Sequence, residues 1–365
     1  MPASPDDGAE LAAHVVETLS AAELALIDLI AARLRAGITG PGWEAAKLAE
    51  IWMLRRRLAD ATQRATPAVL AQVRLIVYEA YAHGEALARI DTTDAHVPLF
   101  QLPGHEFGVV DRLAQQAAAS VEAALIQTPE LLVNVYEQAV RAGVADVLGG
   151  VMTRLQAAQS VLDALAERGV TGFRDRAGRN WALESYVEMA VRTGAGHAAV
   201  QGHVDALAAS GIDLVIVSDA PRECPLCRPW ERKILSISGR VGAVIEPSVV
   251  TGTPATVNVT ASLEAARAAG LMHPNCRHSV SAYLPGATIK GVAERDPAGY
   301  EAGQRQRAIE RAIRAWKRRQ AVALDDAAAR AASAKVREWQ AVLRAHIDAN
   351  DLRRLTRREQ IGTAL

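Results

Sequence analysis

The feature that most constrains this chain is a split cysteine and histidine cluster. Cys224-Pro225-Leu226-Cys227 is followed, far along the chain, by His273-Pro274-Asn275-Cys276-Arg277-His278, and the two segments together use all three cysteines of the sequence. CxxC and HxxC turns each aim two donor atoms at one point, and three thiolates with one imidazole fill a tetrahedral zinc shell. A filled shell leaves no position for water. The pattern therefore predicts a structural zinc ion that staples two distant loops, held by Cys224, Cys227, His273 and Cys276, with His278 able to replace His273.

Other uses of these residues have less behind them. A thioredoxin-like redox role for CPLC would need a βαβ pattern around it, and none is present. An HNH-type nuclease would need a metal-binding histidine hairpin upstream, which is missing. The plainest alternative is two ordinary thiols near a turn, with the histidines serving as hydrogen-bonding loop residues.

Ahead of the cluster the chain reads as helix after helix. Ser20 with Glu23 has the spacing of a capping box, and Leu24, Ile27, Ile30 and Leu34 recur at helical intervals until a break containing Gly37, Pro41 and Gly42. A second helix is expected from Trp43 to Thr62, with Leu48, Ile51, Trp52 and Leu58 on or near one face and a basic run at Arg55, Arg56 and Arg57. Thr66-Pro67 looks like an N-cap with proline at the first helical position, opening a third helix through Leu75, Val77 and Tyr81. Residues 91–104, where Pro98 and Pro103 bracket Leu99, Phe100, Gln101 and Leu102, read as a linker or docking loop. Alanine-rich helices resume from about Val109 to Arg168, a texture suited to a bundle or an oligomeric ring.

The texture changes after Gly169. The run from Thr171 to Trp181 has the turn residues of a hairpin, and a helix is expected from Leu183 to Ala209, ending at Ser210-Gly211. Leu214 to Val217 is a short apolar strand that leads into the CPLC turn. Further strands are expected at Ile234 to Ile237, Thr256 to Thr260 and Ser279 to Leu284, with a short helix from Leu263 to Ala269 delivering His273. The expected fold is α+β and predominantly helical, divided into a helical region 1–90, a linker 91–104, a helical bundle region 105–168, a small α+β domain 169–290 carrying the staple, and a basic helical tail 291–365.

In the tail, Ile309, Ile313 and Trp316 mark one greasy face, while Arg307, Arg311, Arg314 and Arg318 repeat on its neighbour. A second tail helix carries Ala332, Val336, Trp339 and Leu343, and the chain closes on Arg353, Arg354, Arg357 and Arg358. From Glu301 to Leu365 there are 15 Lys/Arg against 8 Asp/Glu, a net of +7 in a chain whose formal net charge is zero. A phosphate backbone would satisfy these eight arginines without sequence specificity, and so would open water. The first ten residues, with Asp6, Asp7 and Glu10, lack the blocks of a secretory signal, and no apolar run is long enough to span a membrane. An odd cysteine count speaks against a disulfide framework and for a reducing compartment.

The words Gly172-Phe173-Arg174-Asp175-Arg176-Ala177-Gly178-Arg179-Asn180-Trp181, the run Leu183 to Thr193, Glu223-Cys224-Pro225-Leu226-Cys227-Arg228-Pro229-Trp230-Glu231, HPNCRH at 273–278 and Arg357-Arg358-Glu359-Gln360-Ile361-Gly362 carry a resemblance. Over about residues 130–365 the chain resembles the minor capsid proteins of tailed bacteriophages, related to the Mu F-type head morphogenesis proteins. The resemblance implies a virion component present in few copies inside the head near the portal vertex, a possible oligomer on the portal ring. Its implied partners are the portal protein, other head proteins and the packaged DNA backbone, and its implied work is head assembly, DNA packaging or DNA delivery. It also implies a ligand role for Cys224, Cys227, His273 and Cys276, which occupy matching positions.

An enzyme is the first competing reading, because Mu F-type domains have been likened to ADP-ribosyltransferases. Arg192 and Ser218 could take two of the roles that chemistry needs, but no E-x-E or Q-x-E element follows in a strand. There is no glycine-rich phosphate loop, no G-x-S-x-G elbow and no HExxH helix, so no enzyme is expected. A stand-alone zinc-knuckle DNA-binding protein is the second, and it lacks aromatic residues interleaved among the tail arginines apart from Trp316 and Trp339.

Overall fold

The computed structural model describes residues 7–94, 107–148, 153–168, 171–174, 178, 180–220, 223–273, 276, 278–287 and 296–361. Among these the fold is α+β and mainly helical. Its helices are α1 (Asp7–Arg35), α2 (Trp43–Asp94), α3 (Phe107–Leu148), α4 (Arg154–Arg168), α5 (Leu183–Ala209), α6 (Leu263–Ala268), α7 (Pro297–Ala321) and α8 (Asp326–Ala349). The strands are β1 (Thr171–Arg174), β2 (Asn180–Ala182), β3 (Leu214–Val217), β4 (Ile234–Ser236), β5 (Gly242–Pro247), β6 (Pro254–Val259), β7 (Ala261–Ser262) and β8 (Val280–Ala282).

Two helix boundaries differ from expectation. Helix α1 already begins at Asp7, so Ser20 and Glu23 lie inside it; no glycine or proline interrupts the run from Ala9 to Leu19. Helix α2 runs unbroken through Pro67, and α3 through Pro129. Proline inside a helix costs about 3 kcal/mol. Here burial on both sides offsets it: Leu58, Val69 and Leu70 flank Pro67, and Leu125, Leu132 and Val133 flank Pro129. In each case the preceding threonine turns its hydroxyl back along the helix, Thr66 Oγ1 to the Thr62 carbonyl at 2.8 Å and Thr128 Oγ1 to the Ala124 carbonyl at 3.1 Å. Helix α2 also covers residues 91–94 of the expected linker, and residues 95–104 lie outside the described part. The buried stripe of α2 is Trp43, Lys47, Leu54 and Leu58, whereas Leu48 and Trp52 face outward, Trp52 being 67% exposed under the Arg56 guanidinium.

The chain forms two compact units, each built from segments far apart in sequence. The first comprises Met1–His14, Ala71–Ala119 and Glu188–Tyr300. Its four-stranded sheet has the order β7-β4-β3-β8, with β3 antiparallel to both β4 and β8 and β4 parallel to β7. Val200, Val204 and Leu207 of α5 pack on Val215, Val217, Leu235, Leu263, Leu271 and Val280 to make the core. Helix α5 ends where Gly211, at φ 76°, lets the Ile212 amide reach back to the Leu207 carbonyl, and the chain then turns directly into β3. Asp91 of α2 accepts the Ala282 amide at the end of β8 at 3.3 Å. The stretch after β4, for which no strand was expected before Thr256, forms a hairpin of β5 and β6, with alternate residues turned to Leu214, Ile234 and Tyr283.

Helix α5 lies against α2 with no room for a side chain at the contacts. A Cβ on Gly84 would strike the Ala199 carbonyl, and one on Gly202 would strike the Tyr81 carbonyl. Backbone cannot yield as a flexible side chain can.

The second unit comprises Val15–Leu70, Ser120–Val187 and Glu301–Leu365. Helices α7 and α8 pack through Ile309, Ile313 and Leu343, with Trp339 and Ile347 alongside. Asp325 caps α8 by accepting the Ala328 amide at 2.8 Å. The end of α7 meets the end of α4: Arg318 Nε donates to the Ala166 carbonyl at 2.8 Å and Arg319 Nε to the Asp163 carbonyl at 3.2 Å. The Ala166 carbonyl lies in the last turn of α4, where it lacks an intrahelical partner, and the Arg318 guanidinium supplies one.

Two glycine substitutions should move stability in opposite directions. Gly202→Ala should destabilise by about 1–3 kcal/mol because it pushes on backbone. Gly303→Ala in α7, where an added Cβ meets nothing within 4 Å, should stabilise by about 0.5–1 kcal/mol. Denaturant unfolding of the two variants beside the parent checks both signs.

Candidate metal centre

Strand pairing brings the two halves of the cluster together. In the antiparallel β3–β8 ladder Val217 stands opposite Val280, so the loop that leaves β3 and the loop that enters β8 lie at the same end of the sheet. Cys224 and Cys227 sit on the first loop and Cys276 and His278 on the second. The Cys227 and Arg228 amides both donate to the Cys224 carbonyl, at 3.2 and 3.1 Å, forming a tight knuckle. A short 3-10 turn, Arg228–Trp230, follows with Pro229 near its start and ends at Glu231. On the other side α6 is capped by Ser262 and stops at Gly270, φ 107°, whose neighbour Leu271 returns its amide to the Ala266 carbonyl. Met272 then adopts φ 59°, and the Cys276 amide closes on the His273 carbonyl at 2.9 Å. Pro274, Asn275 and Arg277 of the HPNCRH element lie outside the described residues.

The donors form two overlapping groups that share Cys227. Cys224, Cys227 and His273 make one, Cys227, Cys276 and His278 the other, and within each group the ligand atoms lie within 4.8 Å of one another. Cys224 Sγ is 2.8 Å from His273 Nε2, Cys227 Sγ 3.3 Å from Cys276 Sγ, and Cys276 Sγ 3.5 Å from His278 Nδ1. The Cys276 sulfur also accepts the His278 amide at 3.3 Å. All five expected residues are thus gathered, and the sequence reading missed a sixth. Glu231 Oε1 meets His278 Nε2 at 2.8 Å and accepts the Ala220 amide at 3.0 Å. Its only sequence signal is its position four residues after Cys227, where a carboxylate can fold back over the knuckle.

Three soft sulfur donors and two imidazoles, mostly buried and arranged as two groups that share Cys227, are donors of the kind that could hold a metal ion such as zinc. The charge distribution agrees. The hydrogen bond with Cys227 and the neighbouring His278 draw the Cys276 thiol down to about 4 against the effect of burial. Burial alone would lower His278, but Cys276 and Glu231 outweigh it and hold the ring up at about 9. Cys276 and burial push Cys227 far up, while burial would raise Cys224 but His273 and the hydrogen bonds from Cys227 together bring it down.

The tail arginines are placed differently from one another. Arg314 and Arg318 are 8% exposed, Arg314 donating to the Arg358 carbonyl at 2.6 Å and Arg318 to α4. Their charges are turned inward because α7 buries that face against α4 and the final segment. Arg354 pairs with the buried Glu359 at 2.6 Å, and Arg307 and Arg358 are half-buried. Arg311, Arg353 and Arg357 are exposed. Of the two residues considered for an enzyme, Arg192 pairs with Glu188 one turn away at 3.6 Å, and Ser218 Oγ accepts the Ser279 amide at 2.9 Å. No described helix is long and apolar enough to cross a membrane.

In the metal-free chain Cys276 and His278 should form a thiolate–imidazolium pair between about 4 and about 9. The lowered Cys276 stabilises the fold above its ordinary value and loses that contribution as pH falls through about 4; the raised His278 contributes fully below 6.5 and loses its share as pH rises through about 9. Ultraviolet thiolate absorbance of the metal-free chain at neutral pH should fall sharply in Cys276→Ser relative to the parent.

A family model described as phage minor capsid protein 2 matches residues 4–348. No similar chain is found among curated proteins or solved structures.

Proposed function

The chain belongs to the phage minor capsid protein 2 family, and from that premise we propose that it is a structural head component, present in few copies near the portal, that assists head assembly, DNA packaging or DNA delivery. The match across residues 4–348 carries this reading. Virion head proteins work with other head proteins, and the portal protein is the partner we assign to the helical regions. The kinship with Mu F-type proteins rests on the CPLC and HPNCRH words.

Zinc held by the cysteine and histidine cluster would act as a staple, adding a cross-link between loops already joined by the small four-stranded sheet and by the Glu231–His278 contact. A cross-link of that kind suits a protein that must keep its shape beside densely packed DNA. The exposed Arg311, Arg353 and Arg357 are the groups we assign to the DNA backbone, because they carry charge that the fold does not consume. An enzymatic role has no comparable support: Arg192 and Ser218 are each engaged in local structure.

Two measurements test this. Purified particles of the parent phage should contain the chain, and its absence from DNA-filled heads detected by mass spectrometry would remove the virion assignment. Replacing Arg311, Arg353 and Arg357 with Gln should lower the slope of log affinity for duplex DNA against log salt by about 2–3. An unchanged slope and affinity would take DNA out of the reading and leave the head role in place.

A further inference from the structure

We propose that the free edge of β5 is where a second copy of this chain docks, its own β5 adding antiparallel across a two-fold axis. The inference goes beyond the head-protein reading and does not depend on it.

The parity of the hairpin shows which edge is open. In an antiparallel pair the main-chain groups point alternately toward the partner strand and away from it. The β5–β6 register sets Val244 against Val257, and continued one turn further it sets Ser248 against Thr253. The Ser248 amide donates to the Thr253 carbonyl at 2.9 Å, so Gly242, Val244 and Glu246 face β6, while Ala243 and Ile245 face away. On β6 the same alternation turns Thr260 away from β5, and its amide reaches the Ile234 carbonyl of β4 at 2.9 Å. The outer side of β6 therefore runs toward β4, and β5 keeps the open edge. Among the described residues the amides and carbonyls of Ala243 and Ile245 meet no partner. Burial agrees: Val257 and Val259 of β6 are buried, whereas Val244 of β5, on the same face, is half-buried at the rim.

Sheet edges are ordinarily guarded against other chains by lysine, by inward charges or by bulges. This edge has none of these. Its register is unbroken, and its outward face shows Ala243, Ile245 and Pro247, with Ile245 72% exposed. The one charged residue of β5, Glu246, lies on the opposite face and is held by Arg240 at 2.7 Å. An uncharged strand with unpaired main-chain groups is a template for a further strand.

Self-complementarity selects a second copy as that strand. The free run is short, because Pro247 has no amide to give and Gly242, at φ 90°, bends the chain before Ala243. With the two-fold axis through Val244, Ala243 of one copy stands opposite Ile245 of the other, and the reverse. Each pair exchanges two hydrogen bonds, which satisfies every free group of the two residues. An axis through Ala243 or Ile245 would pair only that residue with itself inside the run. The chosen register also lays the large Ile245 beside the small Ala243 on the outward face, where no like charges meet. The contact is smaller than the about 1,200–2,000 Å² of a stable free interface. Association is therefore weak in dilute solution and strengthens where copies are held side by side.

The test is sedimentation equilibrium of the full chain under reducing conditions at rising concentration, with hydrogen exchange read at residues 243–245. The parent should pass from monomer to dimer, and the Ala243 and Ile245 amides should gain protection as it does. Ile245→Lys and Ala243→Glu, both at exposed positions, should keep the parent's circular dichroism and weaken dimerisation by about tenfold, since the axis counts each change twice. An equimolar mixture of these two variants should associate more strongly than either alone, because the new carboxylate of one copy then faces the new ammonium of the other. A parent that stays monomeric at every concentration overturns the proposal, as does association that Ile245→Lys leaves unchanged or a mixture no stronger than its components. Protection of the two amides only after another head protein is added overturns the second copy as occupant and assigns the edge to that protein.

Discussion

The antiparallel pairing of β3 with β8 is the interaction on which the site depends. The strands are short, four and three residues, and Val217 and Val280 face each other at the end from which the knuckle loops depart. A two-stranded pairing of this length is weak alone. It holds because β4 adds a third strand, α5 lays Val200, Val204 and Leu207 across the sheet, and Cys227 and Cys276 are themselves part of that core. The sulfur atoms therefore serve two purposes, as apolar volume in the core and as donors at its edge.

Helix α5 reaches the sheet only because α2 lets it pass closely. Gly84 and Gly202 each face a carbonyl of the opposite helix, and the gap left by the missing side chains sets the separation of the two axes. The Gly211 turn then converts the direction of α5 into that of β3. Close helix packing, a left-handed turn and a strand ladder thus form one continuous path from a pair of helices to a pair of cysteines. A fault anywhere on that path displaces the knuckle.

Local pattern made much of this readable in advance. Helix α5 follows its expected bounds because its apolar spacing and terminal Gly211 agree, and β3, β4, β6 and β8 stand out as short apolar runs between turn residues. Strand β5 was missed because Gly242 and Pro247 at its ends read as turn residues, and its partner β6 supplies the support that propensity does not. Pro67 was read as a helix start for a similar reason: the dipeptide Thr-Pro looks the same at an N-cap and inside a long helix held on both sides by tertiary packing. Within the site, the cysteines and histidines were visible from their spacing, whereas Glu231 was not, since nothing in a lone glutamate shows which ring it will meet. Burial of Arg314 and Arg318 was equally invisible, because an arginine that caps a distant carbonyl has the same one-letter pattern as one in solvent.

The C-terminal segment is held in a manner with its own consequence. Gln306 grips the Arg353 carbonyl at 3.0 Å and Arg314 grips the Arg358 carbonyl at 2.6 Å. Both contacts are to main-chain oxygen, which every residue type presents alike. Attachment of the segment is therefore largely indifferent to what position 353 displays, and the outward charge there can drift, strengthen or reverse over evolutionary time while the strap beneath it stays fastened.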